Sequence, residues 1–446
     1  MNEALNKVQA QPSKAFFIDM ITRDLGITDC LLDLIDNAID KAISQKDLDV
    51  MALLTNGASP PAVKGAQISV AIHKDRVEIQ DTCGGISVAE ARDKVFRFGL
   101  PIEQGREFGL SVFGIGMKRA FFKLGKIIQM ESATDSESFV IDIDVDAWQR
   151  KGDKDWEFEF TSFGPLKKGT RKGSTRIEIT HLQEGVGERL SQLSFRNDFS
   201  DKLAATYALF LRSGLRIDLN DHAVASSLPT VARTEKLTIA RKLFRHKGVE
   251  VLIIAGVTAA EDKKSHGWYV FCNGRMVLEA DKTILTGWDR ELPKFHAKYN
   301  HFVGYVYFKS EDVQNLPWTT TKQGVVYESP VYQAALMEMK IQARPVLNFL
   351  NDLYPGDLVE EGNFERGVLR DSKSVEIDEI EKKQTHFAVI SPSEVRKREQ
   401  HDWVSIQYLK ERKQIDRAKE LMGKKRISAS NVGSYTFDYY LKQESE

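Results

Sequence analysis

Between Asp29 and Asp40 the chain sets Asp29, Asp33, Asp36, Asn37 and Asp40 one, three or four residues apart. On a helix this spacing projects them from neighbouring surface, where like charges cost about 0.2–0.5 kcal/mol per pair. Such a face is either simply solvated or compensated by basic side chains, backbone donors or a bound cation. Two glycine-bearing turns downstream argue for a ligand. Gly114-Ile115-Gly116-Met117-Lys118 combines close backbone approach, helix-start amides and a cation, which together suit phosphate oxygens. Asp81-Thr-Cys-Gly-Gly-Ile86 sets a carboxylate before a second tight turn. Each turn is a weak signal alone, since many helices begin after glycine and Asp-Gly turns are common.

The elements that position these residues are legible in the apolar pattern. Leu31, Leu32, Ile35, Ala38, Ile39, Ala42 and Ile43 recur at helical spacing and predict a helix from Thr28 to Ile43 with one greasy side. Alternation predicts a hairpin of Gln67 to His73 and Arg76 to Gln80 that ends at Asp81. A helix from Val88 to Phe98, a lid-like stretch from Gly99 to Gly109 and a helix from the glycines to Leu124 follow. Further strands are expected at Phe139 to Val145, Trp156 to Phe160 and Thr175 to Thr180. A second α/β unit is expected from a helix around Phe199 to Leu211, strands at Leu215 to Leu219, Val249 to Val257, Trp268 to Cys272 and Phe302 to Phe308, and a helix from Pro330 to about Leu353. Past Pro355-Gly356 the chain is charge-dense, with a helical stretch from Ser393 to Met422 and an aromatic end at Tyr435 to Tyr440. The expected fold class is α+β, divided at 1–185, 186–354 and 355–446.

At 446 residues the chain is long enough for two or three cores, and 42% hydrophobic with 28% charged residues places it with globular rather than disordered proteins. No stretch approaches a membrane span, and MNEALNKVQAQPSK is not built as a secretory leader, so the expected compartment is the cytoplasm. Three scattered cysteines, Cys30, Cys83 and Cys272, suggest neither a disulfide framework nor a zinc site. A formal net charge of -1 does not decide for or against nucleic acid.

Taken in order, the motifs resemble those of the GHKL ATPases, the family of gyrase B, the heat-shock chaperones, histidine kinases and MutL. Asp33-Leu-Ile-Asp36-Asn37-Ala38-Ile-Asp40-Lys-Ala42 resembles the first nucleotide motif, Asp81 to Ile86 the second, Leu110 to Lys118 the third and Gly173-Ser-Thr175-Arg-Ile177 the fourth. The resemblance covers residues 14 to 180 and implies a Bergerat-type ATP domain that binds ATP and Mg2+. Asp33 would be the general base for the attacking water, and Asn37 would give an oxygen to magnesium. Asp81 would accept from the adenine amino group, with Gly85 and Ile86 against the base and Thr175 holding Asp81 and a water. Gly114, Ile115, Gly116, Met117 and Lys118 would cradle the β- and γ-phosphates, with Gly99 to Gly109 as lid. Asp33 stands where most of the family's hydrolases carry Glu, a reach shorter by roughly 1.2–1.5 Å that implies slow turnover. Cys83 and Ser111 replace usual glycines.

Gly267-Trp-Tyr-Val-Phe-Cys-Asn273-Gly274-Arg275 and Leu316-Pro-Trp-Thr-Thr-Thr-Lys322 resemble the ribosomal-S5-like transducer domain of the gyrase B, MutL and MORC-like branch. By that resemblance Lys322 reaches the γ-phosphate, the chain is a homodimer when ATP is bound, and the work done is on DNA or a protein effector, with bacterial genome or phage defence as one setting. A non- or slowly hydrolysing ATP-gated scaffold is the alternative, and a chaperone-like ATPase a third. A type II topoisomerase is disfavoured by the short remaining chain, and a histidine kinase by an ATP domain starting near residue 14. In the C-terminal region, Arg396-Lys-Arg398 and Lys424-Lys-Arg426 are interspersed with acids and read as a solvated helix.

Overall fold

The computed structural model describes residues 12–46, 50–55, 65–99, 108–111, 114–152, 155–259, 266–353, 364–389, 410–424 and 427–444. A short helix, Lys14–Thr22 (α1), starts at Ser13, whose hydroxyl accepts from the Phe16 amide at 3.3 Å. The acidic helix follows at Ile27–Lys46 (α2), and every apolar position that predicted it is buried. Helix Gly116–Leu124 (α3) packs against α2, so the two elements bearing the first and third motifs lie side by side.

Eight strands make the first sheet: Gln67–Ile72 (β1), Arg76–Asp81 (β2), Gly125–Ala133 (β3), Glu137–Asp144 (β4), Phe160–Pro165 (β5), Ser174–Leu182 (β6), Arg216–Leu219 (β7) and His222–Ala223 (β8). Their order is β5-β4-β3-β6-β2-β1-β7-β8. Neighbours are antiparallel except β1 and β7, which run parallel with Ile68 opposite Ile217. In β1 and β2 burial alternates along the strand, as expected where one face packs on helices. The register of β2 on β6 sets Asp81 opposite Thr175.

After helix Leu193–Thr206 (α4), a five-stranded sheet forms from Ala240–His246 (β9), Val249–Val257 (β10), Gly267–Cys272 (β11), Arg275–Asp281 (β12) and Phe302–Lys309 (β13), in the order β9-β10-β13-β11-β12. Helix Pro330–Leu353 (α5) covers it, packing on β10 and β13. Asn273 and Gly274, both with positive φ, form the two-residue turn between β11 and β12, a geometry suited to a tight hairpin. Both sheets lie within one compact unit ending at Ile390, and Ser391–Glu446 forms a second, containing helices Arg412–Leu421 and Ala429–Glu444.

Several expectations need correcting. Val88 to Phe98 is not a regular helix: Val88–Glu90 is α-helical and Ala91–Val95 is a π-turn. The strand expected at Trp156 to Phe160 begins only at Phe160. Trp156 and Phe158 alternate because their rings pack on Trp148, at 5.4 Å each, and not because they pair with a neighbouring strand. The helix expected at Phe199 to Leu211 breaks at Tyr207 into α4 and Ala208–Arg212. Residues 393–409 of the expected tail helix and 100–107 of the lid-like stretch lie outside the described residues.

Candidate functional site

A cavity of about 590 Å³ opens among α2, β2, β6 and the start of α3. Asp33 and Asn37 of α2 face it, as do Asp81 and Ile86 from the second motif and Thr175 from β6. Gly114, Ile115, Gly116, Met117 and Lys118 line its opposite part, and Lys322 enters from the loop after the second sheet. Gly85 is the expected site residue that does not line it. At φ +69° a Cβ there would stand 2.1 Å from the Ala133 carbonyl oxygen, so the backbone crossing there requires glycine.

At the sheet end of the cavity Asp81 is 7% exposed, and its Oδ1 accepts from the Cys83 amide at 2.8 Å. Burial outweighs that hydrogen bond and pushes the carboxyl up to about 7. Cys83, a buried thiol, also contributes a hydrogen bond to Asp81, so the replacement of glycine adds a contact. The Thr175 hydroxyl lies 2.9 Å from Ser132 Oγ, which in turn accepts from the Ile86 amide at 2.8 Å. This chain of bonds ties β6, β3 and the Asp81 turn into one frame. Ser87 and Glu90 then form a reciprocal cap, and Glu90 grips Lys41 of α2 at 2.8 and 3.0 Å.

At the other end the charges are denser. Asp33, 3% exposed, holds Arg119 Nε at 2.6 Å and lies 3.9 Å from Lys322 Nζ. Asp36, fully buried, accepts from Arg275 Nε at 2.9 Å, Tyr207 Oη at 2.8 Å and Lys322 Nζ at 2.6 Å. Burial would raise the Asp36 carboxyl, but Arg275 and Lys322 more than reverse that and hold it below its ordinary value. Two carboxylates thus meet three cations directly, and Asp29 and Asp40 lie close enough to act on the same groups.

Asn37 Nδ2 donates to the Asp33 carbonyl at 2.8 Å, and its Oδ1 accepts from Ser111 Oγ at 3.2 Å. Ser111 and the Leu110 amide also bond Asp40, whose burial nevertheless pushes its carboxyl up to about 6. The far end of the lid-like stretch is therefore pinned to α2, and Gly109 offers its carbonyl to Asn273 Nδ2 at 3.0 Å. Lys118 does not point into open space: its ammonium donates to the carbonyls of Val95, at 2.9 Å, and Gly114, and burial pushes it down to about 7.

Do these residues fit a magnesium nucleotide? Ile115, the residue before helix α3, supplies no side-chain cap, and the first residues of the helix line the cavity, leaving the amide end for an anion. Gly116 stands so near Asp33 that a Cβ would lie 3.2 Å from its carboxyl carbon. Among the described residues no cluster of three or more His, Cys, Asp or Glu could hold a metal by itself.

Comparison with known families agrees with this geometry. Residues 27–170 match the family described as histidine kinase-, DNA gyrase B-, and HSP90-like ATPase. The match begins at the first residue of α2 and takes in the first three motifs, while the fourth lies just beyond it. No curated protein matches the chain. Residues 27–170 thus form a GHKL-type ATPase domain, a class of domain that binds ATP. Among the described residues no helix is long and apolar enough to cross a membrane.

Sequence reasoning did not single out Arg119, Tyr207 or Arg275, and it left Asp36 among surface acids. Arg119 had one available signal, its place beside Lys118 on the turn facing Asp33. Arg275 and Asp36 stand 239 residues apart, and no local pattern joins them.

Proposed function

We propose that the cavity binds Mg-ATP and hydrolyses it slowly, using nucleotide occupancy to set the conformation of the whole first unit and to favour dimerisation. The observation that supports this is the convergence of Asp33, Asn37, Asp81, the uncapped start of α3 and Lys322 on one cavity. Asp81 would accept from the adenine amino group, which discriminates against guanine because a carbonyl there would face a second acceptor. Asn37 would hold magnesium, whose bound chemistry is to neutralise developing charge on the phosphates. Asp33 would position and deprotonate water, and Lys322 would meet the terminal phosphate. The cycle would act on DNA or on a protein effector, a reading that rests on family analogy.

A second reading is favoured by one contact. Asp33 Oδ2 is already engaged by Arg119 at 2.6 Å, so the carboxylate must shed or share a guanidinium to take a proton from water. With its shorter reach, this describes an ATP-gated binding protein more than a fast hydrolase. Single-turnover hydrolysis of bound ATP separates the two. Phosphate release that vanishes in Asp33→Ala supports the enzyme. Tight ATP binding with no release over hours supports the gated binder, and failure to bind adenine nucleotide at all overturns both.

A further inference from the structure

We infer that Asp36 is the resting dock of Lys322, and that Arg275 positions both partners so that the lysine can leave for a terminal phosphate without stranding a bare buried carboxylate. This rests on the reading of the cavity as a Mg-ATP site and concerns how that site tells ATP from ADP.

The two oxygens of Asp36 are used differently. Oδ1 takes Tyr207 at 2.8 Å and Arg275 at 2.9 Å, whereas Oδ2 takes Lys322 at 2.6 Å. If the ammonium departs, Oδ1 keeps two donors, one of them a guanidinium, so Asp36 remains ionised and paired in its fully buried place. The same guanidinium reaches the other partner: Arg275 Nη1 donates to the Lys322 carbonyl at 2.7 Å. The backbone of Lys322 is further held by its amide on the Thr319 carbonyl at 2.9 Å, and sits at φ +57°. The lysine is therefore fixed at its backbone and free to exchange partners at the end of a flexible four-carbon stem.

The nearest alternative acceptor for that ammonium points the same way. Asp33 Oδ1 lies 3.9 Å from Lys322 Nζ, and Asp33 Oδ2 is taken by Arg119 at 2.6 Å. Asp33 faces the cavity and neighbours Gly116 on the expected phosphate loop, so a lysine moving from Asp36 past Asp33 moves toward the phosphate position. Asp36 is then a competitor of the terminal phosphate. ADP lacks that phosphate and leaves the lysine docked.

The test is the ratio of ATP to ADP affinity, measured by calorimetry with a non-hydrolysable ATP analogue and ADP on the full chain with Mg2+. Asp36→Asn removes the competing charge and raises the preference for the triphosphate at least about tenfold. Lys322→Met brings the ratio near one, and Asp36→Asn adds nothing in the Lys322→Met background. Should Asp36→Asn fail to fold, Tyr207→Phe takes its place: losing one Oδ1 donor makes Asp36 hold Lys322 more tightly and lowers the ratio about threefold. Ratios within twofold of the unaltered protein in the folded variants overturn the dock alone. Uptake of neither nucleotide by the unaltered protein overturns the Mg-ATP reading and the dock with it.

Discussion

The two ends of the cavity are built on opposite plans. The Asp81 end is assembled inside one sheet, where the register of β2 on β6 and hydrogen bonds among Ser132, Thr175 and Ile86 place every group. The Asp33–Asp36 end is assembled from α2, α3, the β11–β12 hairpin, the Lys322 loop and Tyr207, with charge pairs spanning up to 286 residues. A frame of short-range backbone bonds is suited to fixed recognition of a base. A many-element ionic junction is suited to reporting whether a phosphate is present, because changing one partner is felt in both sheets.

The comparison breaks most sharply at Arg275. Arg275→Ala leaves Asp36 short of a cation in a dry interior and is expected to lower stability by about 3–5 kcal/mol, read from urea unfolding. A loss under 1 kcal/mol would mean the junction is not the structural seam described. Next is Asp81→Asn, expected to weaken adenine nucleotide binding about 100-fold with little harm to the fold. Its apo stability should even gain at neutral pH. Because the folded Asp81 carboxyl lies above its ordinary value, its stabilising contribution is present at low pH and is lost as pH rises from about 4 through about 7, whereas Asn has no such window.

The same residue gives a pH signature. The carboxylate accepts from an amino group more strongly than the protonated acid, so ATP affinity should fall, by up to about tenfold, between pH 8 and pH 6, and the fall should disappear in Asp81→Asn. A profile unchanged by that substitution assigns the titration to the other end. Smallest is Ser132→Ala, expected to cost about 1–2 kcal/mol of stability by leaving the Ile86 amide without its acceptor, with the ATP-to-ADP ratio unmoved. A change in that ratio would join the two ends that the geometry keeps apart.

Legibility followed the same division. The four motifs and α2 were readable because each is a local pattern: helical spacing from Leu31 to Ile43, glycine before a helix, and a carboxylate at a strand end. Strand β10 and helix α5 matched their expected bounds because a long apolar run and a long period leave little choice. Central strand β3 was not legible: it follows α3 without a break, and adjacent Ile127 and Ile128 spoil the alternation. The ionic junction was invisible for a deeper reason, since Asp36 reads as one of several surface acids until Tyr207 and Arg275 are folded onto it. Lys322 was found from a loop resemblance, but its contact with Asp36 had no counterpart in the local sequence.

Strand β7 carries a practical consequence. It lies at 216–219, beyond the residues that match the ATPase family, yet it zips alongside β1, and Asn220 Oδ1 takes the Ile72 amide at 2.7 Å. A fragment trimmed to the family match would lose β6 from between β3 and β2 as well as β7 from beside β1, and so present raw rows of backbone donors and acceptors to its neighbours. Such a fragment should clump on expression, while one extended to residue 223 should lose that sticky margin.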